Sequence, residues 1–429
     1  MSVTEMFSDF LNNLKVNNAE TISLRYGEIT SSLNKAFRDS ESKTANSLQV
    51  GSYGRWTAIK GISDLDMLYI MPGSQWKKYK NGGQSRLLTK TKDAIKARYP
   101  RTDVCVDRLV VTVTYKDFHI EVQPVFKQDD GSFKYPDSYN GGLWKITKPS
   151  EEIKAMKDFV AQKNMNLRRL CKMARAWKNK HGVGMGGLLV DTLAHNFLSS
   201  TPDYDEKSFL YYDFMSGDFF KYLSELPEQD HYKALGSGQN VKVKKKFQRK
   251  AKKAHKLCLT AIEAGDSDSA NEKWKKVYGR PFPSKDRKFE EAAAAAQQEW
   301  RNTEQFIEDQ FPIDIRYSIT LDCEVSQQGF REHFLKYMLE KAIPLLANKK
   351  LLFTVVDCDV PEPYSVKWKI LNRGAEAKRR DCIRGQIVAD DGFSKRKEST
   401  NFKGEHIVEC YAIKDGVVVA KDRVDVPIQ

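Results

Sequence analysis

Apolar residues at the start of the chain recur at helical spacing. Met6, Phe7, Phe10, Leu11 and Leu14 share one face, which predicts helices over residues 1 to about 38. The period then shortens. Leu48-Gln49-Val50 reads as a strand, and residues 64–71 alternate so that Leu65, Met67 and Tyr69 face a core while Asp64 and Asp66 share the opposite face. Residues 84–98 predict a basic amphipathic helix stopped by Pro100. Residues 103–115 and 118–126 are rich enough in β-branched and aromatic side chains to form two adjacent strands. This order describes a small mixed sheet with helices on one side.

From about residue 150 the helical period returns. Leu167, Leu170, Cys171, Ala174 and Trp177 lie on one face of a helix, with Lys172 and Arg175 on a neighbouring face as candidate solvated cations. Residues 285–310, with alanines from Ala292 to Ala296, predict a long connecting helix. Beyond Phe311 the pattern is strand-like at 315–325, 351–356, 364–371, 383–388 and 405–413. Asp415-Gly416 then forms a hairpin turn into Val417-Val418-Val419-Ala420. The expected domains are therefore residues 1–150, a core sheet with N-terminal helices, then 151–310, a helical domain, and 311–429, a β-rich domain.

Composition narrows the class. At 429 residues there is room for two or three separate cores, and no run of eighteen apolar residues or N-terminal apolar stretch points to a membrane or to export. Seven widely spaced cysteines without a Cys-x-x-Cys pair read as free thiols in a cytoplasmic protein, with no zinc site. A formal charge of +14 points to nucleotides or nucleic acid as company. Lysines and arginines from Lys242 to Lys256 form either a solvated helix face or a funnel for nucleoside triphosphates or an activating polyanion. Phe247 is the one aromatic residue in that run, too few for reading single strands.

The candidate chemistry centres on residues 51–71. Asp-x-Asp alone fits a solvated strand edge, but Leu68-Tyr69-Ile70-Met71 makes this strand a buried one. Two carboxylates on one buried strand repel unless a cation lies between them, and their oxygens are the hard ligands that Mg²⁺ prefers. Upstream, Gly51 lets backbone N–H groups approach a phosphate and Ser52 adds a hydroxyl. Phosphoryl transfer between two metals calls for a third acid from a neighbouring strand; Glu121, inside Ile120-Glu121-Val122 and before Pro124, is the candidate, with Asp107 next.

A Gly-Ser turn, a spacer, Asp-x-Asp and a later acid resemble the polymerase-β-like nucleotidyltransferases. Within them the chain resembles the cGAS/DncV-like nucleotidyltransferases (CD-NTases). Trp274, Tyr278-Gly279 and Phe282-Pro283 are similar to the closing element of that family's oligoadenylate-synthase-like helical domain. Val366-Lys367-Trp368, Asn372-Arg373-Gly374, Ile383-Arg384-Gly385, Glu398-Ser399-Thr400 and Gly404-Glu405-His406 resemble its C-terminal sensor domain.

The resemblance implies an α/β fold: a polymerase-β-like nucleotidyltransferase core sheet, a helical domain closing the cleft, and a β-rich C-terminal domain. It implies a synthase of a cyclic oligonucleotide second messenger in bacterial anti-phage (CBASS-type) signalling, using ATP and other NTPs and acting on a downstream effector through its product. Two Mg²⁺ ions, or Mn²⁺, would be held by Asp64, Asp66 and Glu121, with Gly51, Ser52 and Lys172 on the triphosphate. Gly186 stands where relatives carry a triphosphate-binding serine. A synthase of linear oligonucleotides, a transferase to RNA or protein, and a catalytically silent nucleotide sensor remain alternatives. Arg384 and His406 fit either an anionic nucleotide or a structural role, and Lys378, Arg379, Arg380 and Arg384 give the tail a positive field. The tail carries none of the three acids, so it is expected to be removable without uncovering the cleft.

Overall fold

The computed structural model describes all residues except 62, 268, 285–303, 328–331, 373–374, 381–383 and 401–402. Residues 285–303 of the expected alanine-rich helix, Cys382, Arg373-Gly374 and Ile383 lie outside the described residues; of residues 304–310, Ile307–Gln310 is helical and 304–306 are not.

The chain opens with α1 (Val3–Asn13), capped by Ser2 and Glu5 in a reciprocal capping box, and α2 (Ala19–Arg38). The central sheet follows: β1 (Ser47–Gln49), a single helical turn α3 (Gly51–Gly54), β2 (Asp64–Ile70), a short turn α4 (Trp76–Tyr79) and α5 (Gln84–Arg98). It continues with β3 (Asp103–Asp107), β4 (Val110–Thr114), β5 (His119–Lys127), β6 (Phe133–Asp137) and β7 (Leu143–Thr147). The spatial order is β1-β2-β5-β4-β3, with β6 on β5 and β7 on β6; β2 and β5 run parallel. The segment expected as one strand over 103–115 is a hairpin, turned at Arg108-Leu109, where the Asp107 carboxylate accepts the Arg108 N–H at 2.6 Å. Leu65, Met67 and Tyr69 do pack on α2 and α5 with Ile22, Ile29, Leu87 and Ile95, while Leu68 faces Val50 and Val125 on the other side.

The helical half comprises α6 (Pro149–Gln162), α7 (Asn166–His181), α8 (Gly187–Ser200) and α9 (Tyr212–Glu225), a two-strand ribbon of β8 (His231–Lys233) and β9 (Asn240–Lys242), α10 (Gln248–Ala264) and α11 (Ala270–Tyr278). Although α1 precedes the sheet in sequence, its apolar face joins this half. The Phe7 ring meets Trp274 edge-on at 5.1 Å and Phe10 lies 5.0 Å from Phe282. Aromatic burial of this kind outweighs chain proximity.

The tail holds two four-stranded sheets around one core. β10 (Ile319–Ser326), β11 (His333–Phe334), β12 (Lys350–Cys358) and β15 (Lys395–Ser399) form one, and β13 (Ser365–Leu371), β14 (Ile387–Ala389), β16 (Gly404–Lys414) and β17 (Val417–Ile428) the other. The β16–β17 hairpin turns at Asp415-Gly416, both at positive φ, as the Asp-Gly signal predicts. β15 escaped the reading of the sequence because Lys-Arg-Lys-Glu-Ser is an edge strand that keeps its charges at the surface.

Candidate active site

The acids owe their positions to strand register. Asp64 and Asp66 project from β2 on the face away from α2 and α5, and parallel pairing sets Asp66 beside Glu121 and Asp64 beside His119. Carboxylate oxygens of Asp64, Asp66 and Glu121 all come within 4.8 Å of one another. Burial, followed by the neighbouring carboxylates, pushes Glu121 up to about 8; burial and Asp64 push Asp66 up to about 7. Three hard oxygen donors that resist ionising together are a donor set suited to a divalent cation such as Mg²⁺. Asp107, the second candidate for the third acid, sits in the exposed β3 and is outside this cluster.

The Gly-Ser turn abuts the acids. Gly51 has φ +62°, and a Cβ there would stand 1.8 Å from Asp66 Oδ2. Only glycine fits this contact. Gly51 and Ser52 line, with Asp64, Asp66 and Glu121, one cavity of about 380 Å³.

A buried charge network fixes the turn against the helical half. Arg55, four residues beyond Gly51, pairs with Asp191 of α8 at 2.9 Å and with Glu152 of α6 at 3.2 Å, while Arg175 of α7 holds Asp191 at 2.5 Å. Burial would raise Asp191, but the two guanidiniums outweigh it and bring the carboxyl down to about 2. Arg175 thus differs from the solvated cation expected of it, because α8 delivers a carboxylate that periodicity alone does not reveal. A lone Asp within Leu188-Leu189-Val190-Asp191-Thr192-Leu193 was the available signal, since a charge inside an apolar helical run requires a buried partner.

Lys172 is half-buried on α7 and does not line the cavity. Burial, then Arg168 and Lys15, lower its proton affinity. Gly186 is the N-cap of α8, and a Cβ there meets nothing within 4 Å; Gly187 and Leu188 beside it do line the cavity.

The basic residues depart from expectation in two places. Lys250, expected in a funnel, is turned inward and caps α7 by donating to the carbonyls of His181 and Gly182 at 2.9 and 2.8 Å. In the tail, Arg384 forms a two-pronged pair with Glu398 at 2.9 and 3.0 Å, and Arg379 and Arg380 both pair with Glu376, which offsets the expected positive field. The side chain of Lys378 lies outside the described residues.

The tail also reaches the cleft. Ile313, Asp314 and Arg316 line the cavity, and the Arg316 guanidinium approaches Asp64 at 3.0 Å and Glu121 at 4.0 Å. Buried Lys178 of α7 holds Asp314 at 2.7 Å. The expectation of a tail independent of the cleft is overturned: residues 312–317 are part of its wall, held by buried ionic contacts rather than by a loose polar surface.

Comparison with known proteins agrees with this architecture. Residues 1–159 match the family model of the Second Messenger Oligonucleotide or Dinucleotide Synthetase (SMODS) domain, and residues 301–429 that of the Adenylyl/Guanylyl and SMODS C-terminal sensor domain. Among solved structures the chain is similar to Escherichia coli MS115-1 CdnC in its complex with HORMA-deltaN, at 14% identity over 66% of this chain and 98% of that one, with a TM-score of 0.52. It is also similar to Vibrio cholerae DncV cyclic AMP-GMP synthase bound to the linear intermediate 5' pppA(3',5')pG, at 16% identity over 55% of this chain and 69% of that one, with a TM-score of 0.45. At 14% identity the likeness to CdnC is one of fold. No curated protein matches the chain. With the acid cluster on its core sheet and the two matched domains at its ends, the chain belongs to the CD-NTases and carries a C-terminal sensor domain.

Proposed function

We propose that the protein is a Mg²⁺-dependent synthase that joins NTPs, ATP among them, into a cyclic oligonucleotide messenger. The observation that carries this reading is the meeting of Asp64, Asp66 and Glu121 on adjacent strands, against the Gly51-Ser52 turn, in one cavity. Asp64, Asp66 and Glu121 would hold two Mg²⁺ ions, with Mn²⁺ able to replace them. When bound, the ions supply charge stabilisation to an in-line displacement at phosphorus and to the departing pyrophosphate. Glu121 would also ligate one ion and favour deprotonation of the attacking ribose hydroxyl. Gly51 and Ser52 would orient the triphosphate in the cavity, and Lys172, outside its lining, would add a cation from α7 where the triphosphate extends beyond it. Joining two nucleotides forms one P–O bond to the ribose oxygen and breaks the bond to pyrophosphate; ring closure repeats this within the linear intermediate. No helix among the described residues is long and apolar enough to cross a membrane, and we place the enzyme in the cytoplasm of a bacterium, acting in anti-phage signalling through an effector that binds its product.

Pyrophosphate release from NTPs tests the assignment of the acids. Asp64→Ala combined with Asp66→Ala is expected to abolish it while circular dichroism remains that of the parent, because removing like charges does not unfold a metal-free site. Release at the parental rate would overturn the assignment.

A further inference from the structure

Residues 312–317 form a strap with two anchors. On one side its backbone joins the tail: Asp314 N–H donates to Val418 O at 3.1 Å, Arg316 N–H to Val419 O at 2.9 Å, and Val418 N–H to Pro312 O at 3.0 Å. On the other side it is stitched to α7. Asn179 donates to Ile313 O at 3.0 Å and accepts from the Ile315 N–H at 3.2 Å, while Lys178 Nζ donates to Asp314 Oδ1 and to Ile315 O, both at 2.7 Å. Ile315 between them is fully buried. A segment held at so many backbone positions has little freedom to place its side chains elsewhere.

The side chain so placed is Arg316. Its Nε donates to Asp314 Oδ2 at 2.7 Å, which orients the guanidinium; one Nη lies 3.0 Å from Asp64 Oδ1 and 3.5 Å from Ser63 Oγ, and the other 4.0 Å from Glu121 Oε1. Two of the three acids assigned to metal binding therefore already face a cation. Arg316 retains 30% side-chain exposure and Glu121 29%, so water and ions can reach the cluster. A guanidinium cannot be deprotonated away, and its charge opposes a divalent ion approaching the same oxygens.

We propose that Arg316 is an active-site positioning residue supplied by the sensor domain: it ion-pairs with Asp64, lies 4.0 Å from Glu121, and yields part of that contact to an entering divalent cation. The strap is hydrogen-bonded to β17, so the seating of the sensor domain sets how firmly Arg316 is held and hence how readily the cleft takes its ions. The proposal rests on the assignment of the acids as metal ligands.

The test is binding of Mn²⁺ alone to the full chain, without nucleotide, followed by electron paramagnetic resonance and calorimetry. Arg316→Gln removes the charge and leaves a shorter polar side chain, and Arg316→Ala removes charge and polar group together. Each is expected to tighten Mn²⁺ binding by about tenfold or more, and Arg316→Lys, which keeps the charge, to stay within about threefold of the parent. Adding Asp64→Ala with Asp66→Ala to any of these should abolish the binding. Affinity in the Gln and Ala variants unchanged to within about twofold, or weakened, would overturn the proposal while leaving the metal site intact. Binding that survives loss of both aspartates, or no binding in any variant, would instead overturn the metal assignment and the proposal with it.

Discussion

Glu121 and Asp66, the acids proposed to carry the chemistry, have raised proton affinities with a consequence for stability. Without metal, the folded protein at neutral pH holds protons on these acids that the unfolded chain has released, since an unperturbed Glu titrates near about 4.3. The stabilisation they contribute is fully present below that value and is lost as pH rises through about 7 for Asp66 and about 8 for Glu121. Burial lowers the proton affinities of His119, His181 and His195, which act in the opposite sense as pH rises toward 7, so the informative quantity is a difference between proteins. Glu121→Gln is expected to gain melting temperature over the parent in chelator as pH rises from 6 to 8.5, while losing pyrophosphate release. A gain that does not depend on pH would show that Glu121 is ionised throughout. The two aspartates and Glu121 were legible in the sequence because strand alternation fixes which residues share a face. Arg316 was not: Ile313, Asp314, Ile315 and Arg316 alternate like any strand entrance, and nothing local says that the cation faces Asp64 and Glu121, far earlier in the chain.

Elements show the same division. The apolar face of α7 was legible, since Leu167, Leu170, Cys171, Ala174 and Trp177 are all buried, but Arg175 and Lys178 are buried as well, the first on Asp191 of the next helix and the second on Asp314 of the tail. Periodicity counts apolar side chains and cannot see a partner. The strands β6 and β7 were missed because they are short, and β7 is largely open to solvent at the sheet edge. Asp191 is the keystone of α3, α7 and α8. Asp191→Ala leaves Arg55 and Arg175 buried without it, and is expected to cost about 3–5 kcal/mol in denaturant unfolding. A loss under about 1 kcal/mol would mean that water replaces the carboxylate. At the start of α8, Gly186→Ser meets no steric obstacle and adds a side-chain N-cap, so a gain of a few tenths of a kcal/mol is expected. The same hydroxyl should lower the KM for ATP if this helix start touches the triphosphate; an unchanged KM would remove it from that role.

For the whole molecule, the order of sheet, helical half and β-rich tail could be read from changes of period along the chain, whereas their mutual seating could not. α1 crosses from the sheet to the helical half through Phe7 and Phe10, and residues 312–317 cross from the tail into the cleft. A chain ending at Phe311 therefore loses part of the cavity wall as well as the sensor. Its KM for ATP is expected to rise and its Mn²⁺ affinity to increase as in Arg316→Ala; parental values for both would show that the wall is dispensable. Synthesis of a cyclic oligonucleotide is read out by mass spectrometry of the products formed from all four NTPs with Mg²⁺, before and after phosphatase. The expected product is a nucleotide oligomer whose mass phosphatase leaves unchanged, because a ring has no terminal phosphate, and it is absent when Asp64 and Asp66 are replaced by alanine. Products that phosphatase converts entirely to shorter or dephosphorylated species, or none at all from the folded parent protein, would contradict cyclic synthesis.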